Sequence, residues 1–165
     1  MRWPPRINLP YRPSVGVMLV NADDQVFVAQ RIDSYRTAWQ MPQGGLDPGE
    51  TPEQTAIREL KEEIGTNNAT FLAKSKKEYT YDLPAHLVGR CWNGRYRGQK
   101  QTWFLMRFEG DDSQINLDSH SHPEFSHWKW VDIHKLIYLV APFKREVYRA
   151  LVKEFLPVLQ SQKQN

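Results

Sequence analysis

Residues 44–66 constrain this chain most, because the stretch opens with a forced turn and continues as an amphipathic helix. Gly44 and Gly45 permit a backbone path closed to other residues, and a carbonyl there can face a ligand. Thr51 is an N-cap, Pro52 suits the first helical position, and Gln54 completes a capping box with Thr51. Glu50 and Glu53 complement the positive end of the helix dipole, and Gly65 supplies the stop. Ala56, Ile57, Leu60 and Ile64 form the apolar stripe expected to pack on a core. Glu59, Glu62 and Glu63 lie at i, i+3 and i+4, so they share one face at the margin of that stripe. Three crowded carboxylates repel one another unless a cation sits among them. A hard divalent metal with oxygen ligands answers that need. Arg58 and Glu62, four apart, can also pair. Three glutamates on a helix face are, taken alone, usually just a solvated face.

The rest of the composition sets bounds. A chain of 165 residues, 40% hydrophobic, predicts one domain with a real core. Six Trp, seven Tyr and seven Phe exclude the disordered class. The net charge of +3 is compatible with an anionic ligand but does not by itself argue for nucleic acid, and no DNA partner is expected. Cys91 is the one cysteine, which excludes an internal disulfide framework and a CxxC metal knuckle and fits a reducing compartment. No apolar run approaches the roughly 20 residues of a membrane span. The first ten residues lack the apolar region of a secretory signal. A soluble, cytoplasmic, monomeric protein is expected.

In chain order, residues 1–10 hold Pro4, Pro5 and Pro10 and read as an extended arm. Residues 14–20 and 25–30 read as the two strands of a hairpin, and 32–38 as a polar connection. After the helix, strands are expected at 69–74 and 78–83. An excursion over 84–100 carries Arg90, Arg95, Arg97 and Lys100. Residues 102–108 form the clearest later strand, with Trp103 and Leu105 on one face and Phe104, Met106 and Phe108 on the other. A short strand within 123–131 carries Trp128 and Trp130, and Asp132 caps a short helix. A longer helix over 143–156 buries Val147, Leu151 and Phe155, and Pro157 is expected to end or kink it. Residues 160–165 form a polar, frayed tail. This order predicts one α/β (α+β) domain over 11–159, with a mixed sheet between helices.

The spacing inside residues 44–66 is specific. Gly44 is followed by five residues and Glu50, then by seven residues and Arg58-Glu59-Leu60, Lys61, Glu62-Glu63, Ile64 and Gly65. This resembles the Nudix box, the signature of the Nudix hydrolase family. The one departure is Thr66, where the pattern has an aliphatic residue at a packing position. The likeness extends over residues 11–155. Tyr11-Arg12-Pro13, Trp39-Gln40-Met41-Pro42-Gln43-Gly44-Gly45, Gln99-Lys100-Gln101, Pro123-Glu124-Phe125 and Phe143-Lys144-Arg145-Glu146 look like the subgroup of bacterial RNA pyrophosphohydrolases and plant-type dinucleoside tetraphosphate hydrolases.

The resemblance implies cleavage of a nucleoside diphosphate linked to another moiety, by attack of water at phosphorus. Positioning and charge neutralisation supply most of that catalysis. It implies Glu59 and Glu63 as metal ligands and Glu62 as a ligand to a second ion or to water on the metal. The carbonyl of Gly44 (or Gly45) is a further donor. Glu124 matches the subgroup's additional acidic residue, as metal ligand or general base; Glu59 is the other candidate base. Magnesium is the implied ion, with manganese and zinc as alternatives. Arg12, Arg31 and Lys144 match residues that meet the 5′-phosphates or the nucleotide, and a helix N-terminus at Lys144 favours anions. Tyr81 and Phe143 are candidates for base stacking, with core packing as the alternative. Gln99 and Gln101 are candidates for hydrogen bonds near the site, with edge-strand solvation as the alternative. Gly45, Glu50, Arg58 and Gly65 are structural in the motif, and His120 and His122 belong to a loop surface. The expected substrate is 5′-triphosphorylated RNA, left as a 5′-monophosphate and so exposed to decay. Hydrolysis of dinucleoside tetraphosphates is the alternative within enzymes. A non-catalytic nucleotide-binding module is the alternative outside them, disfavoured because every glutamate of the box is present.

Overall fold

The computed structural model describes residues 8–32 and 38–163. The proline-rich arm and the polar connection at 32–38 therefore lie almost wholly outside the described residues. Seven strands form one mixed sheet: β1 (Tyr11–Val20), β2 (Val26–Arg31), β3 (Gln43–Gly45), β4 (Ala69–Lys74), β5 (Tyr79–Asp82), β6 (Gly98–Phe108) and β7 (Phe125–Val131). The main order is β4-β6-β1-β2-β7, with β3 paired to β1 and β5 to β6. β1 and β6 run parallel from Tyr11↔Gly98 to Val20↔Arg107; the other pairings are antiparallel. Helix α1 (Pro52–Ile64) covers one face. The short α3 (Leu136–Leu139) and the long α4 (Arg145–Lys163) cover the other, and α2 (Ala85–Val88) lies in the excursion before β6.

Two cores follow from strand alternation. On the α4 side Met18, Trp103 and Leu105 meet Tyr148, Leu151 and Phe155; on the α1 side Leu19, Phe27, Phe104 and Met106 meet Ala56, Leu60 and Ile64. Each large side chain fully withdrawn from water contributes about 1.5–3 kcal/mol. Trp128 and Trp130 lie on the α1 side, stacked and edge-on against Phe27.

The hairpin strands are where the sequence puts them, but they pair with each other only at Val20↔Val26. Below that point they splay, and residues 40–45 fill the gap. Gln40 exchanges both backbone bonds with Ala29 at 2.9 Å, and Gln43, Gly44 and Gly45 pair with Gly16, Val15 and Ser14. The site occupies this splayed end.

Two packing expectations change. Ile57 is 39% exposed, and Thr55 takes the buried place. The Thr55 hydroxyl donates to Glu50 Oε1 at 2.9 Å, so its burial leaves no unmade bond. Pro157 does not end the last helix, which runs to Lys163 and makes residues 160–163 helical. Leu159 continues the buried four-residue stripe beyond the proline. Burial of Phe155 and Leu159 offsets the roughly 3 kcal/mol of an interior proline.

Candidate active site

The carboxylate helix is fixed at both ends. Gln54 N donates to Thr51 Oγ1 and Thr51 N to Gln54 Oε1, at 3.2 and 2.9 Å, while Gly65 closes the helix in the left-handed region at φ 82°. The preceding loop is tied to the helix through Arg58. Its Nε donates to Glu50 Oε2 at 2.7 Å and its Nη2 to Glu50 Oε1 at 2.8 Å. Nη2 also reaches the Gly45 carbonyl at 2.9 Å, and Nη1 reaches Glu59 and Glu62 at 2.9 and 3.2 Å. Glu50 further accepts the Asp47 N–H at 2.9 Å. Arg58 above all, then that N–H, hold the Glu50 carboxyl down at about 2. Thr66 is buried, as a packing position requires.

The three box glutamates are not equivalent. Glu62 is half-exposed, whereas Glu59 and Glu63 are buried. The Glu59 carboxylate lies so close to Gly44 that a Cβ there would stand 1.9 Å from Glu59 Cδ. Burial, more than the neighbouring Glu62, pushes the Glu59 carboxyl up to about 7 against the pull of Arg58. Glu63 is 4% exposed, and among the described residues neither of its oxygens has a hydrogen-bond donor. Burial first, then Glu59 and Glu124, drive it well above the ordinary carboxylate range. Glu124 approaches from the start of β7, its carbonyl accepting the Ile32 N–H at 2.8 Å and its carboxylate 3.9 Å from Arg31 Nη1. A register shift between Gln30 and Arg31 turns the end of β2 toward it.

The cations gather on the other side. Lys144 is 8% exposed, with Nζ 3.4 Å from Gln40 Oε1 and over the rings of Tyr81 and Phe143. Burial, then Arg31, lower it to about 8, opposed by Glu63. Arg12 donates to Gln99 Oε1 at 3.2 Å and leans on Gly45, where a Cβ would come 2.2 Å from Nη2. One rung of the sheet carries Tyr81, Gln99 and Arg12 side by side. Gln99 and Gln101 lie on β6 inside the sheet and are fully buried, so edge solvation is not their role. Gln99 Nε2 donates to the Tyr81 hydroxyl, and Gln101 bonds Gln43 and the Trp103 indole. The Tyr81 ring is buried with Phe143 tilted against it at 5.7 Å; Phe143 is the more accessible of the two.

Gln40, Gln43 and Trp92 belong to this site; the resemblance includes the segment that holds Gln40 and Gln43 but gives them no role, and Trp92 carries no signal in the sequence. Gln40 and Gln43 look like ordinary polar residues beside Pro42, and only the splayed strands place them here. His120, half-buried, and His122, exposed, sit beside each other in the loop before β7.

The fit to a divalent cation can be judged from the unmet polar groups. Ser14 Oγ, Gln40 Nε2 and both Glu63 oxygens are the buried side-chain polar atoms without a hydrogen-bond partner among the described residues. All belong to the splayed end of the sheet or to the α1 face against it. Among the described residues no three His, Cys, Asp or Glu side chains are grouped so as to hold a metal ion by themselves. An open arrangement of one or two carboxylates, a carbonyl and exchangeable oxygens is how magnesium is usually held. Glu63 and Glu59 fit such an arrangement; the Gly45 carbonyl is already taken by Arg58, and Gly44 pairs with Val15 in the β1–β3 ladder.

Comparison with known proteins agrees with this geometry. A family model described as the NUDIX domain matches residues 10–151. The chain is 52% identical over 154 residues to an RNA pyrophosphohydrolase of Rickettsia typhi, covering 93% of this chain and 95% of that protein. It is 54% identical over 153 residues to an RNA pyrophosphohydrolase of Sphingopyxis alaskensis, covering 92% and 96%. Among solved structures it is similar to the E. coli dihydroneopterin triphosphate pyrophosphohydrolase (TM-score 0.67, 24% identity, 88% of this chain and 99% of that one). A C. elegans Ap4A hydrolase in a binary complex gives a TM-score of 0.64 at 20% identity, over 88% and 98%. At such identities the structures speak for the fold alone. The family model and the relatives at about half identity agree with the capped carboxylate helix, and the chain belongs to the Nudix family of hydrolases.

Proposed function

We propose that this chain removes pyrophosphate from the 5′ end of triphosphorylated RNA, in a reaction that depends on a divalent metal. The observation that carries the chemistry is the buried Glu63 carboxylate, without a hydrogen-bond donor among the described residues, facing Lys144 and Arg31 across the splayed strands. An anionic polyphosphate fits such a divide, with cations to its oxygens, and a divalent metal held by the carboxylates would neutralise its remaining charge. The substrate class is supported by the relatives, which carry the name RNA pyrophosphohydrolase over nearly the whole chain.

Glu59 and Glu63 hold the ion; Glu62, more exposed, serves a second ion or its water. Magnesium suits an all-oxygen, open site better than the softer zinc, with manganese an acceptable substitute. When bound, the ion neutralises the polyphosphate and activates water. The chain's own residues do the rest. Arg12, Arg31 and Lys144 bind phosphate oxygens, with charge-assisted bonds that orient the phosphorus for attack. Water adds at phosphorus, the bridging P–O bond breaks, and pyrophosphate leaves a 5′-monophosphate. Glu124 takes the proton of the attacking water. It is 48% exposed and open to solvent, whereas the Glu59 carboxylate is turned onto Gly44 and held by Arg58. Phe143 offers its ring to a base, and Tyr81 supports it from below. Among the described residues no helix is long and apolar enough to cross a membrane. The enzyme acts as a cytoplasmic monomer and commits transcripts to decay.

Initial rates with magnesium on a triphosphorylated RNA of a few nucleotides and on diadenosine tetraphosphate test the assignment. Faster turnover of the RNA is expected; much faster turnover of the dinucleotide would overturn it in favour of the hydrolase of dinucleoside tetraphosphates.

A further inference from the structure

Residues 92–94 adopt a backbone that no motif explains. Trp92, Asn93 and Gly94 have φ of 51°, 57° and 72°, three consecutive residues in the left-handed region. Asparagine and glycine tolerate that region, but a tryptophan there is an outlier. Such conformations persist only where the surroundings over-determine them, and they cluster at functional sites. The surroundings here do so. Cys91 N bonds the Leu87 carbonyl at 3.0 Å and Gly94 N the Cys91 carbonyl at 3.0 Å. Beyond the turn, Arg97 N reaches the Pro10 carbonyl at 3.0 Å and Leu83 N reaches the Arg97 carbonyl at 2.8 Å. The turn is thus laced to the start of β1 and the end of β5.

The strained backbone delivers the Trp92 ring onto Arg12, whose Cζ lies 5.1 Å from the ring centre. The Tyr96 ring meets the indole edge-on at 6.1 Å and fixes its tilt. Arg12 is therefore confined on three sides: Trp92 on its face, Gln99 at Nη1, and the backbone of Gly45 against Nη2. A guanidinium held in one plane loses little freedom when it takes two phosphate oxygens in its fork.

We propose that Trp92 is a positioning residue for polyphosphate recognition, holding the Arg12 guanidinium in the plane that receives phosphate oxygens. The inference rests on Arg12 being a phosphate contact. It predicts that Trp92 acts through Arg12 and not on the substrate directly.

A double-mutant cycle tests this, with KM and kcat measured on a short triphosphorylated RNA in magnesium. Trp92→Ala is expected to raise KM about tenfold, the worth of a partly desolvated cation–π contact, with kcat changed less than about twofold. Trp92→Phe keeps an aromatic face and is expected to lie within about threefold of wild type; Trp92→Leu keeps only apolar bulk and is expected to behave like Ala. In an Arg12→Ala background, Trp92→Ala is expected to change KM by less than about twofold. An equal loss with and without Arg12 would overturn the proposal, because Trp92 would then touch substrate itself. So would a Leu variant as good as Phe, because packing would then suffice. The Phe and Leu pair keeps the test decisive if the Ala variant does not fold. A wild type that cleaves diadenosine tetraphosphate but not RNA ends the substrate assignment alone, since the same cycle is then read on the dinucleotide.

Discussion

Glu63→Gln separates what the fold needs from what the chemistry needs, because it removes a charge and keeps the shape. The Glu63 carboxylate is buried, and among the described residues neither oxygen has a hydrogen-bond donor. Burial above all, then Glu59 and Glu124, oppose its ionisation. A carboxyl whose folded pKa lies above its unfolded value contributes stability below the unfolded value, and that stability is lost as pH rises through the folded one. Metal-free wild type therefore weakens from about pH 4.5 upward. Glu59 sets the scale: the interval from 4.5 to about 7 corresponds to about 3 kcal/mol. At position 63 the amide cannot ionise and can donate to the neighbouring Glu59 and Glu124 carboxylates, which removes the cost of an uncompensated buried group, about 1–3 kcal/mol. At about 2–4 °C per kcal/mol for a domain of this size, metal-free Glu63→Gln melts about 2–12 °C above wild type at pH 8, with the gap narrowing toward pH 5. Magnesium reverses the order. A ligand at a hundred times its Kd adds about 2.7 kcal/mol to wild type and little to the variant, whose kcat falls by on the order of 10²-fold or more. Thermal melts by circular dichroism between pH 5 and 8, in chelator and in magnesium, read every arm. A metal-free variant that melts below wild type throughout would refute the reasoning, because the carboxylate would then have a partner within the fold.

Lys144→Met is expected to stabilise the protein at pH 7 by up to about 3 kcal/mol, since burial and then Arg31 lower the ammonium from 10.5 to about 8. The gain shrinks as pH rises from 8 toward 10.5, where wild type no longer carries the charge in the fold; the same variant raises KM for the triphosphorylated substrate about tenfold or more. Chemical denaturation at several pH values and steady-state kinetics check both signs. Arg58→Met frees Glu50, Glu59, Glu62 and the Gly45 carbonyl at once, and is expected to cost about 2 kcal/mol in melts and to loosen residues 44–50 to hydrogen exchange. Pro157→Ala restores an N–H toward the Lys153 carbonyl and is expected to add about 1–3 kcal/mol without changing kcat, as paired melts and assays would show.

The elements were legible wherever a local rule acted alone. Thr51, Pro52, Gln54 and Gly65 bound one helix through contacts of at most four residues, and all four make them. Alternation along β6 placed Trp103 and Leu105 against one core and Phe104, Met106 and Phe108 against the other. Where local and tertiary terms opposed each other, the local rule misled. Pro157 breaks helices by itself, but the buried Leu159 keeps this one going. Ile57 is more apolar than Thr55, yet Thr55 is buried because Glu50 and the Thr51 carbonyl accept its hydroxyl.

The two halves of the site differ in legibility for the same reason. Glu59, Glu62 and Glu63 are neighbours on a helix, so a period of 3.6 residues brings them together in the sequence itself. Tyr81, Gln99 and Arg12 become neighbours only because β6 pairs antiparallel with β5 and parallel with β1, with Gln99 opposite both partners. A shift of that register by one residue would turn Gln99 to the other face and leave Arg12 without its partner. Likewise Gln40 reaches Lys144 only because β1 and β2 part below Val20, a separation set by what lies between them and not by either strand. Resemblance supplied Arg12, Arg31 and Lys144 as candidates; for Arg12 the physical reason it reaches the site is strand register, which acts over 87 residues between Arg12 and Gln99. Substitutions that slip β1 against β6 should therefore damage substrate handling before they damage the carboxylate helix, whose own contacts are local.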